Sequence, residues 1–147
     1  MMNLFEKAVN TGELLKFALG QGEYFILDRE YDGHWIHGSW INYILPYINE
    51  KEEVIANIDI LNLFKSILNA KDIDLEKKGD VLLYHLHVYY YQKQEGKINS
   101  DALGEINEEL LSFFDNYLGF LNKTSPPKIA AVQDAISLIK SRGGLIT

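Results

Sequence analysis

Residues Asp80–Glu95 read DVLLYHLHVYYYQKQE, the most apolar and aromatic run in the chain. Wound as a helix, this run carries apolar side chains on nearly every side, the pattern of a helix surrounded by others. Its tyrosines Tyr84, Tyr89, Tyr90 and Tyr91 bury rings while their hydroxyls need partners. The run also alternates as a strand would, with Tyr84, Leu86, Val88 and Tyr90 set against His85, His87, Tyr89 and Tyr91. It is long for a strand, however, and no second run of comparable strand character is there to pair with it. A helix is therefore expected, with Gly79-Asp80 as the preceding stop and N-cap and Gly96-Lys97 as its end.

Outward from this run, helical signals fill the chain. Asn3 is placed to cap a short helix carrying Leu4, Phe5, Ala8 and Val9, and Thr11-Gly12-Glu13 restarts another that Gly20 and Gly22 stop. Glu23–Asp28 is rich in strand formers but short and unpartnered, and is read as a helical turn or an extended link. Ser39 is positioned to cap WINYILPYI, which Pro46 bends or ends. Val54, Ile55, Ile58, Leu61, Leu63, Phe64, Ile67 and Leu68 recur at helical spacing up to Ala70, with re-capping expected at Asn57 or Asp59. A charged segment, Lys71–Asp80, leads into the central run.

Beyond it, Ser100 or Asn99 caps Asp101–Leu121, the cleanest amphipathic pattern in the sequence. Leu103, Ile106, Leu110, Phe113, Phe114, Tyr117 and Leu121 form its stripe. Ser125 and Pro126 then mark the start of a last helix carrying Ile129, Val132, Ile136 and Ile139. That helix ends basic at Lys140 and Arg142, complementing its dipole. The expected fold is all-α: a single domain spanning 1–147, an irregular antiparallel bundle of six to eight helices, with HEAT-like stacking as the alternative.

Composition narrows function by exclusion. With no cysteine, disulfides, zinc–thiolate sites, iron–sulfur ligation and thiol nucleophiles all fall away, and a reducing cytoplasm suits the chain. The first residues, MMNLFEKAVNTGELLKF, lack the basic start of a signal peptide, and no apolar run approaches the roughly 20 residues of a membrane span. Against 21 Asp+Glu stand 14 Lys+Arg, so bulk electrostatics oppose a nucleic-acid backbone; such acidity either draws a basic protein or simply keeps a cytosolic chain soluble. No G-x-S-x-G elbow, phosphate-binding loop or H-E-x-x-H pair is present.

Two histidine pairs invite a metal or acid–base reading. Asp32, His34 and His37 lie in DGHWIHG, with Asp28 and Glu30 upstream. Histidine with carboxylate suits a divalent ion or proton transfer, provided that Gly33 and Gly38 leave the pair on one face. The plainer reading makes this a loop whose Trp35, with Trp40, anchors the core. His85 and His87 diverge by about 160° on a helix and so cannot chelate one ion together. No cofactor is expected.

Asp101, Glu105, Glu108, Ser112 and Asp115 fall opposite the apolar stripe, and no lysine or arginine occurs between Asp101 and Tyr117. Such a row is either a docking face for a basic protein, a solvated face, or one covered by lysines from elsewhere.

With this acidic row and the aromatic-rich stretch Tyr31–Trp40 on a helical, cysteine-free scaffold, the chain resembles the immunity proteins of bacterial polymorphic and contact-dependent toxins. The resemblance implies stoichiometric binding to one cognate toxin domain, such as a basic nuclease, whose active site is covered or distorted. Its contact residues are expected to be Asp101, Glu105, Glu108 and Asp115, with Trp35 and His37. Two alternatives remain open: a metal-dependent enzyme or metal-binding protein built on Asp32, His34 and His37, and a homo-oligomeric structural subunit.

Overall fold

A computed structural model describes residues 3–25, 39–98 and 101–141, and every regular element among them is helical, with no strand. The all-α expectation therefore holds. The chain gathers into two units, Met1–Ile67 and Leu68–Thr147.

The first unit begins with α1 (Leu4–Thr11), capped as expected: Asn3 Oδ1 accepts the Glu6 N–H at 2.8 Å. Gly12 ends it at φ 72°, a backbone that side chains other than glycine adopt only with strain. Then come α2 (Leu14–Leu19) and a 3-10 turn at Gly22–Tyr24, which resolves the first part of the ambiguous Glu23–Asp28 stretch as helical. Residues 26–28 lie outside the described residues. The core here is aromatic. Phe5 meets Phe17 and Tyr47 edge-on at ring-centroid distances of 5.3 and 5.0 Å, and Phe17 meets Tyr24 at 6.2 Å. Trp40 is fully buried, as a core anchor should be.

Pro46 does not end its helix. A π-helical turn, Trp40–Ile44, comes first, its last bond running from the Leu45 N–H to the Trp40 carbonyl. This wide turn absorbs the missing proline N–H and the ring's bulk. The helical run then continues as α3 (Leu45–Glu50). Ser39 itself has helical dihedrals and its side chain makes no cap hydrogen bond.

Next is α4 (Glu53–Leu68), one uninterrupted helix with no re-capping at Asn57 or Asp59. Asp59 instead points into the core, where it accepts the Tyr47 hydroxyl proton. Burial, then this carboxylate, pushes the Tyr47 hydroxyl well above the ordinary tyrosine range. The inner face of α4 comprises Ala56, Ile60, Leu63, Phe64 and Ile67. Val54, Ile55 and Ile58, expected in the same apolar series, are exposed instead. At 100° per residue they fall opposite the buried set.

In the second unit, the aromatic run belongs to α5 (Leu75–Gln94), which starts within the segment expected to be a charged link. Its N-cap is Asp74, whose Oδ1 accepts the Lys77 N–H at 2.7 Å. Gly79-Asp80 is thus neither stop nor cap: both residues sit inside the helix, and Tyr117 packs over Gly79. Gly96, in left-handed conformation, closes the helix as expected.

A 3-10 turn at Gly104–Ile106 leads into α6 (Asn107–Thr124). The amphipathic helix expected from Asp101 therefore starts at Asn107 and runs past Leu121. Residues 99 and 100, the expected caps, lie outside the described residues. Leu110, Phe114, Tyr117 and Leu121 are buried on its inner side. After the 3-10 turn Pro126–Lys128 comes α7 (Ile129–Lys140), which buries Val132, Ala135 and Ile139. The Ser-Pro start signal holds, although Pro126 opens the 3-10 turn rather than the α-helix. Burying each such aliphatic or aromatic side chain is worth about 1.5–3 kcal/mol. Arg142 lies outside the described residues.

Candidate functional site

The outer face of α6 is the acidic surface that the sequence pointed to, with altered membership. Glu108, Ser112, Asp115 and Gly119 are exposed and fall within an arc of about 60°. Glu109 and Asn116 are exposed on its flank. From Glu108 to Asp115 the row extends about 10 Å along the helix axis. Glu108 and Glu109 lie in the first turn, where the helix dipole favours negative charge; Asp115 has no such support.

Asp101 stands apart from this row, ahead of the 3-10 turn. Its carboxylate faces Lys93 Nζ at 3.8 Å. The side chain of its partner Lys93 is only 9% exposed, so the Asp101 carboxylate lies against α5 while staying open to solvent on its other side. Gly104 has no side chain where the Asp101 carboxylate lies, 2.8 Å from the position a Cβ would take. Glu105 is exposed on the 3-10 turn, ahead of the α-helix. The α-helix starts six residues later than the pattern implies, which leaves Asp101 outside it and Glu105 on the 3-10 turn that leads into it. The flanking Glu109 was not singled out from the sequence, because it stands about 100° from Glu108 and off the row's axis.

Several lysines of both units are ion-paired with other carboxylates. Lys16 pairs with Glu13 at 2.9 Å, Lys51 with Glu6 at 2.8 Å, and Lys7 with Glu23. Lys128 bridges Asp80 at 3.0 Å and Glu76 at 3.4 Å, and the Asp80 contact is the main reason its ammonium is held above its ordinary pKa. Among the described residues, no cation lies within ion-pairing distance of Glu108, Glu109 or Asp115. These carboxylates can each accept charge-assisted hydrogen bonds from an incoming lysine or arginine.

The remaining candidates divide. Asp28, Glu30, Asp32, His34, Trp35 and His37 lie outside the described residues. His85 is 1% exposed with its ring 4.8 Å from that of Tyr84, and His87 Nε2 is 3.3 Å from the Ala131 carbonyl oxygen of α7. The pair thus points to different surroundings, as the helical spacing required. Among the described residues no group of three or more His, Asp or Glu side chains is arranged to hold a metal ion, and no helix is long and apolar enough to cross a membrane.

No protein-family model, curated protein or solved structure matches the chain.

Proposed function

We propose that this chain is a protein-binding neutraliser of the immunity type, which acts in the cytoplasm and docks a basic toxin domain on the outer face of α6. The observation behind this reading is the set of exposed carboxylates Glu108, Glu109 and Asp115, which have no cationic partner among the described residues. A basic partner gains attraction from this unpaired negative charge on docking. Such a face also steers association, since a complementary field raises the encounter rate most at low salt. A basic nuclease, built to bind phosphates, presents the matching charge.

The test begins with affinity capture of the tagged chain and its stoichiometric partner from the source cells. Association kinetics follow, comparing wild type with Glu108→Lys/Asp115→Lys across a salt series. The double variant is expected to associate about tenfold more slowly at low salt, with convergence at high salt. Equal rates at low salt would remove the α6 face from consideration.

A further inference from the structure

A second candidate surface lies in the first unit and is apolar where the α6 face is charged. Val54 is 67% exposed, Ile55 45% and Ile58 52%. Val54, Ile58 and the half-buried Leu61 lie within an arc of about 60° on the outward side of α4, with Ile55 at its margin. A helix apolar on two opposite faces is built for neighbours on both. Three aliphatic side chains in water each forgo roughly tenfold to a hundredfold in an equilibrium that would bury them. At the N-terminal end of this stripe stand Glu50, Glu52 and Glu53, all exposed and without a cationic partner among the described residues. Lys51, between them, is engaged by Glu6.

We propose that this face of α4 docks an amphipathic helical segment of a basic partner, with aliphatic anchors on Val54, Ile55 and Ile58 and lysine or arginine on Glu50, Glu52 and Glu53. Two arguments select this occupant. First, the three unpaired carboxylates at the head of the stripe call for cationic side chains opposite them, which an anionic membrane lacks, and a second copy packed with its α4 parallel would bring those carboxylates towards their own images. Second, a helix face offers side chains and no open backbone edge, so an extended strand has nothing to pair with, whereas a helix laid alongside interleaves its own i, i+3, i+4 anchors. The surface stands independently of the α6 reading.

A leucine–lysine peptide of about 18 residues, patterned as an amphipathic helix, serves as probe. The controls are a scramble of the same composition and a version with glutamate for lysine, and binding is followed by fluorescence anisotropy. The patterned peptide is expected to bind at least about tenfold more tightly than the scramble. Val54→Ser/Ile58→Ser is expected to lose at least about tenfold. Glu52→Lys/Glu53→Lys should weaken binding and flatten its salt dependence. Equal binding of the scramble, or indifference to Val54→Ser/Ile58→Ser, overturns the proposal. So does a wild-type dimer in sedimentation that Ile58→Ser dissolves, since the occupant would then be a second copy.

Discussion

The phenol ring of Tyr117 in α6 lies directly against the backbone of Gly79 in α5: a Cβ added at Gly79 would fall 2.2 Å from Tyr117 Cζ and 2.3 Å from Cε2. The hydroxyl reaches across to the Glu76 carbonyl at 3.3 Å and to Asp80 Oδ1 at 3.2 Å. Lys128 closes the group from the turn before α7. One missing side chain thus lets α6 approach α5 and joins three elements through one tyrosine.

Gly79→Ala is therefore expected to destabilise the protein. An alanine improves helix propensity by about 1 kcal/mol, but a methyl at ring-carbon distance forces displacement of a rigid ring, with a cost of about 1–3 kcal/mol or more. The sign should reverse in a Tyr117→Ala background, where the clash is gone and only the propensity gain remains. Chemical denaturation of the four proteins of this cycle measures the coupling, and additive effects would contradict the packing described.

Gly119 behaves oppositely. It sits mid-helix on the exposed side of α6, with nothing within 4 Å of a Cβ added there. Gly119→Ala should stabilise by about 0.5–1 kcal/mol through helix propensity alone. A thermal or denaturant midpoint that fails to rise would show that the helix is not regular at this point.

Three buried tyrosines set the alkaline limit. Burial pushes Tyr89 up to about 12 and holds Tyr47 and Tyr117 higher still, with Asp59 and Asp80 adding to the effect. In the unfolded chain these hydroxyls ionise near pH 10, so above that point the unfolded state holds fewer protons than the native one. Stability accordingly falls as pH rises from about 10 through the folded values, and is unaffected by these groups at neutral pH. Of the nine tyrosines, at least three should ionise only together with loss of helical circular dichroism. Smooth ionisation of all nine near pH 10 with the helices intact would refute this.

Helix identity was legible because it rests on local periodicity. The caps at Asn3 and the closures at Gly12, Gly20 and Gly96 follow from backbone chemistry within a few residues. Gly79-Asp80 misled because a glycine before an aspartate has the same local signature whether it stops a helix or admits a neighbour's ring. The candidate surface was legible in the same measure. Glu108 and Asp115 follow from spacing alone, whereas the pairing of Asp101 depends on Lys93, a residue of another helix.

By itself, then, the sequence determined the all-α class, the inner stripe of α6 and the acidic character of its outer side, since each is a matter of residue type and period. Tertiary structure alone decided where α5 begins, which carboxylates are paired, and that Val54, Ile55 and Ile58 face water while Ile60 and Leu63 do not. The physical reason is that an apolar residue at helical spacing specifies a face, but only the neighbours packed against the helix determine which of two apolar faces is buried.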